Sequence, residues 1–82
     1  MISPDKVEAM IQSAMPKAEI NVQSSDGEHF EVTVVAAEFD GKRRVQQHQL
    51  VYGAVKEAMA SDAIHALQLN TFTPTEWASK SA

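Results

Sequence analysis

The chain has 82 residues, 44% of them hydrophobic and 22% charged, with a formal net charge of -4. That suffices for one small globular domain, residues 1–82, and argues against disorder. The acidic balance offers no global attraction to nucleic acid or anionic membrane, and the lack of cysteine excludes disulfides, a thiol nucleophile and any self-contained thiolate metal site.

No apolar run approaches the ~20 residues that span a bilayer, so no membrane association is expected. Met1 to Lys6 holds no cationic stretch leading into an apolar core, and a cytoplasmic protein is the resulting expectation. Ser3 can cap a helix whose first residue is Pro4, where a missing N–H costs nothing. Val7, Met10, Ile11, Ala14 and Met15 then share one helical face, and Pro16 ends it. Ile20 and Val22 alternate with Glu19, Asn21 and Gln23, the period of a half-buried strand. Ser24 to Glu28 is turn chemistry, and Phe30, Val32, Val34 and Ala36 alternate again. The two strands form a hairpin, with His29 at the far end of its loop.

Phe39-Asp40-Gly41-Lys42 breaks the second strand, and the spacing predicts a helix from about Arg43 to Met59. Its core face is Val51, Ala54, Val55, Ala58 and Met59, with Val45 and His48 continuing the stripe. Gly53 lies mid-helix at a cost of about 1 kcal/mol against Ala, which close packing on the sheet would explain. Ser61-Asp62 ends this segment, and His65 through Phe72 reads as a third strand. Thr73-Pro74-Thr75-Glu76 is a capping box opening a short helix anchored by Trp77. The order αββαβα predicts an α+β fold, a three-stranded mixed sheet covered by helices. The helical crossover makes the last two strands parallel and right-handed.

His65 and His29 are the candidate metal ligands. Two imidazoles cannot close a metal site, so the remaining ligands would have to come from another molecule. Residue type alone favours a hydrogen-bonded boundary role for His65 and a solvated loop role for His29; ligation is the sharper reading. Asp26, Glu28 and Glu31 read as solvated acids, with one of them available to orient the His29 ring. His48 reads as a packed, satisfied boundary residue. Lys42-Arg43-Arg44 is a basic run at a helix N-terminus, where the macrodipole disfavours cations. It is either a solvated turn, with Arg44 paired to a nearby acid, or a contact for a partner or phosphate. Met10, Met15 and Met59 are core filler. With no Ser-His-Asp set, phosphate-cradling glycine loop or paired carboxylates, the reading is non-enzymatic.

Phe39-Asp40-Gly41, Val45 through Tyr52, Ile64-His65-Ala66-Leu67 and Thr71 through Trp77 together resemble the BolA family. Val51-Tyr52-Gly53 and the Asp26-to-Phe30 loop resemble its IbaG/YrbA-like bacterial branch. Each motif is weak alone; five in order, from Ser3 to Trp77, are strong. The resemblance implies a type II KH-like fold and partnership with a monothiol glutaredoxin of the CGFS type, the pair sharing a bridging 2Fe-2S cluster. It implies one thiolate from the glutaredoxin, a second from its bound glutathione, and histidine from the BolA side. The family's C-terminal ligand histidine corresponds to His65. Its variable loop position, histidine in one subgroup and cysteine in another, corresponds to His29, which places this chain in the histidine subgroup. Imidazole protonates near neutral pH, so such binding should weaken in acid.

The implied role is iron–sulfur trafficking or iron and redox regulation, by a chain that is monomeric or weakly dimeric alone. A KH-like DNA-binding transcriptional regulator is the alternative, and a cluster-free adaptor the third reading. Gln47 and Gln49 stand where many family members carry basic residues, and no Gly-x-x-Gly clamp is present, both of which weaken the nucleic-acid reading. Lys42, Arg43 and Arg44 stand as contacts for a partner, for glutathione's carboxylate or for nucleic acid.

Overall fold

Alternating apolar residues in three segments and apolar helical stripes in two set the architecture. The computed structural model describes residues 2–61, 64 and 66–81, with the backbone alone at residue 81. In chain order these are α1 (Pro4–Ala14), β1 (Glu19–Gln23), β2 (His29–Val35), a 3-10 turn (Ala37–Phe39), α2 (Arg44–Ala54), α3 (Lys56–Ala60), β3 (Ala66–Phe72) and α4 (Pro74–Ser81). The sheet order is β1-β2-β3. β1 and β2 form the expected antiparallel hairpin, and β2 and β3 run parallel across the helical crossover.

Phe30, Val32 and Val34 of β2 and Leu69 of β3 turn one sheet face toward Val7, Ile11 and Met15 of the first helical segment and Val51, Val55 and Ala58 of α2–α3. Phe39 and Ile64 fill the two ends of this core. The other face is largely polar: Glu19, Asn21, Gln23, His29, Glu31 and Gln68 are exposed. At one end α4 lies against that face, where Trp77 packs on Phe72 with ring centroids 5.2 Å apart. Among the described residues no helix is long and apolar enough to cross a membrane.

The caps follow the sequence closely. The Ser3 hydroxyl accepts from the Lys6 N–H at 3.2 Å. Thr73 and Glu76 exchange reciprocal bonds, the Thr73 N–H donating to the Glu76 carboxylate at 2.8 Å and the Glu76 N–H to the Thr73 hydroxyl at 3.2 Å. Gln12 adds a cap that the sequence did not advertise: its amide donates to the carbonyls of Met15, Pro16 and Ala18 at 3.2, 3.0 and 3.2 Å. Gly41, with φ of 78°, lets the chain turn from the Phe39 end into α2.

The long second helix differs from expectation. It ends at Ala54, where the Val55 N–H bonds back to Tyr52 at i−3, and a separate α3 follows. Val45 is 59% exposed and does not continue the stripe. It precedes Val51 by six residues, which at 3.6 residues per turn is a different face. Gln47, four residues before Val51, takes the inward position and is only 7% exposed. Burial of its amide is balanced by three bonds: Nε2 donates to the carbonyls of Phe39 and Lys42 at 3.1 and 3.0 Å, and the Thr71 hydroxyl donates to Oε1 at 2.7 Å. Ala14 is exposed, because α1 ends there and Met15 turns inward instead. Gly53 is exposed, and a Cβ there would meet nothing within 4 Å, so close packing does not explain it.

Two stability outcomes follow from these positions. Gly53→Ala should raise the urea midpoint, by about 0.5–1 kcal/mol of stability, since helix propensity improves without a clash. Gln47→Leu should cost about 2–3 kcal/mol, because it removes the acceptor of the buried Thr71 hydroxyl and a donor from the Phe39 and Lys42 carbonyls. Adding Thr71→Val to it should cost less than the two single changes summed, in the same denaturation experiment.

Candidate functional site

His29 is the first residue of β2 rather than a loop-tip residue. The turn before it is organised by Asp26. Its Oδ1 accepts the backbone N–H groups of Glu28 and His29 at 2.9 and 2.8 Å. Gly27, at φ 76°, closes the turn, and its N–H donates to the Ser24 hydroxyl at 2.9 Å. The second oxygen of Asp26, Oδ2, lies 2.6 Å from Nδ1 of the His29 ring. The backbone bond from His29, then that from Glu28, then the ring itself hold the Asp26 carboxyl well below the usual carboxylate range.

The imidazole is open to solvent, its side chain 60% exposed. Ligand-type atoms of Asp26, Glu28 and His29 all lie within 4.8 Å of one another. His29 pairs with Ala66 in the parallel register, and the Ala66 N–H donates to the Glu28 carbonyl at 3.2 Å. An open groove of about 600 Å³ runs here between the ends of the three strands, with Gln23, Ser24, His29, Ala66 and Gln68 on its walls. His65, the other candidate ligand, lies outside the described residues. Its sequence neighbours on both sides are anchored: Ile64 is buried with its N–H bonded to Ala58, and Ala66 opens β3.

This donor set fits part of an iron–sulfur coordination sphere. It presents an imidazole at an open rim, and the chain has no thiol, so a cluster bound there would take its thiolate ligands from another molecule.

Lys42, Arg43 and Arg44 are exposed around the start of α2. The Arg43 N–H donates to the Gln46 side chain, which caps the helix. The Glu76 carboxyl is held below its ordinary range first by the Thr73 backbone and hydroxyl and then by the Arg44 charge. Arg44 therefore sits near an acid, as one of its two readings anticipated. The run belongs to the Thr71–Phe72 end of the sheet, since Gln47 bridges Lys42 and Thr71. From the His29–Ala66 pair to the Val35–Phe72 pair is six residue steps, about 20 Å.

His48 occupies the half-buried boundary position expected, its ring edge-on to Tyr52 with centroids 6.4 Å apart. It is not satisfied as expected. Its Nε2 is enclosed and, among the described residues, has no hydrogen-bond partner.

The fold has counterparts among known proteins. The family described as BolA-like protein matches residues 1–76. This chain belongs to the BolA-like family. The BolA-like chain is similar to the acid stress protein IbaG of Escherichia coli K12, 39% identical over 74 residues that cover 90% of this chain and 87% of IbaG. It is also similar to the DNA-binding transcriptional regulator BolA of Escherichia coli K12, 37% identical over 57 residues, 70% of this chain and 53% of that protein. A solved structure of a bolA homologue from Coxiella burnetii matches with a TM-score of 0.76 and 38% identity, over 95% of this chain and 99% of that one. The BolA fold and the kinship with the IbaG branch are thus as the sequence motifs implied.

The Asp26 turn has a measurable pH signature. Its folded-state carboxyl is depressed from an ordinary value of 3.8, so its stabilising contribution is present above that pH and lost as pH falls below it. Urea midpoints at pH 7 and pH 3 should therefore differ less in Asp26→Asn than in the parent protein. An equal drop in both would show that the turn does not hold the carboxylate as described.

Proposed function

We propose that this BolA-like protein is a non-enzymatic, cytoplasmic partner of a monothiol CGFS glutaredoxin. It contributes His29 and His65 to a 2Fe-2S cluster that it shares with the glutaredoxin and its bound glutathione. The cluster is cargo, passed on or sensed in iron–sulfur trafficking or iron and redox regulation. The observation that carries this reading is the exposed His29 imidazole at the rim of an open groove, in register with Ala66, the residue that follows His65. The chain supplies nitrogen ligands and lacks sulfur ligands, so a partner that brings two thiolates complements it.

Mixing the protein with cluster-loaded CGFS glutaredoxin and glutathione tests this directly. Visible absorption and circular dichroism should change as imidazole replaces sulfur at one iron. His65→Ala should abolish the change, and His29→Ala should shorten the cluster's half-life by about tenfold or more. An unchanged, all-sulfur spectrum in a complex that nonetheless forms would point to the adaptor reading and sink this one.

One observation favours a second reading. The similar Escherichia coli protein is named a DNA-binding transcriptional regulator, and Lys42, Arg43 and Arg44 form an exposed basic run remote from His29. If duplex DNA binds there, affinity should fall steeply with salt. Each Lys or Arg replaced by Ala should then reduce the log–log slope by about one. The net charge of -4 opposes this reading, and a flat salt response would end it.

A further inference from the structure

We infer that Asp26 is the positioning residue for the His29 ligand: it fixes the ring's tautomer and aim, so that Nε2 is the nitrogen offered to metal. The inference rests on His29 being a ligand, as proposed above, and adds which atom ligates and what selects it. Asp26 is itself immobilised, because Oδ1 accepts two backbone N–H groups at 2.9 and 2.8 Å. With that oxygen pinned, Oδ2 is aimed at Nδ1 at 2.6 Å. An ionised carboxylate is an acceptor only, so Nδ1 carries the proton in this contact. Nδ1 is thereby taken out of contention for metal, and the neutral ring presents its lone pair at Nε2. A carboxylate behind a ligating histidine also makes the imidazole a stronger donor and holds its plane. The register pair His29–Ala66 fixes the backbone from which the ring projects, so both backbone and ring are constrained before any metal arrives.

The asymmetry of the two Asp26 oxygens makes a clean substitution available. In Asp26→Asn the amide oxygen can keep both backbone bonds, and Asn is well tolerated in this type of turn. The amide nitrogen then faces Nδ1 and donates to it. The ring proton is driven to Nε2, the position that must be bare to ligate. The fold stays, and the tautomer inverts.

Two readouts test this. In the iron-free protein at pH 8, nitrogen-15 NMR of the imidazole should show the His29 proton on Nδ1, and on Nε2 in Asp26→Asn. With dispersed β1–β2 amide signals confirming the fold of both proteins, a parent ring protonated on Nε2 overturns the inference. In the complex with cluster-loaded CGFS glutaredoxin and glutathione, Asp26→Asn should shorten the half-life of the visible dichroism by about tenfold or more. Adding it to His29→Ala should do no further harm, since the ring it positions is gone. A cluster half-life in Asp26→Asn equal to the parent's overturns the inference while leaving the His29 ligand intact. A parent complex indifferent to His29→Ala instead defeats the ligand reading itself, and with it the positioning role, whatever tautomer the NMR reports.

Discussion

Because β2 and β3 run parallel with His29 opposite Ala66, the starts of both strands share one end of the sheet, and everything proposed for the site depends on that register. The register is held by burial. Phe30, Val32 and Val34 alternate inward along β2 and Leu69 and Thr71 do so along β3. A slip of one residue would turn His29 and Glu31 into the core and expose Phe30 and Val32. The apolar pattern that folds the domain is therefore also what keeps the imidazole facing solvent. Glu28 reinforces it locally, since its carbonyl takes the Ala66 N–H.

At the opposite end of the same strands a buried polar contact adds to the apolar ones around Phe39 and Phe72. Gln47 joins the carbonyls of Phe39 and Lys42 to the hydroxyl of Thr71, tying α2 to the loop before it and to β3. In a core this small, three satisfied bonds on one buried amide help specify how the helix sits, because another placement takes the acceptor from the buried Thr71 hydroxyl. The basic residues Lys42, Arg43 and Arg44 are carried at this end and His29 at the other.

Much of this was legible from residue type and period. The alternation through Val22 and through Phe30 to Val34 announced the hairpin, and Thr73-Pro74-Thr75-Glu76 announced α4 with its reciprocal cap. Those features are local, so a local reading recovers them. The break at Val55 and the burial of Gln47 were not legible. Both are decided by tertiary packing: Val55 and Ala58 have to reach the core beside Val51, and a glutamine is admitted only because particular carbonyls wait for it. The motif containing His65 was visible as sequence, but that residue lies outside the described residues. Asp26 was grouped with Glu28 and Glu31 as solvated acids of which one could orient the His29 ring, and nothing in the spacing reveals that it is Asp26, with one oxygen pinned by backbone while the other meets the ring.

The exposure of His29 bears on what kind of iron–sulfur chemistry the proposed role would involve. A resident cluster is best protected when protein encloses it, because water and oxygen compete for exposed iron. With its side chain 60% exposed on an open groove, His29 offers little enclosure from its own side. A cluster bridged there would be sheltered only while a partner covers the groove, and it would be exposed again on dissociation. Positioning then matters more than depth. A ring already held by Asp26 loses less freedom when it binds than a ring that must be ordered in the encounter. Ligand exchange at such a site can be both reversible and selective, which is the combination that cargo transfer requires and permanent metal storage does not.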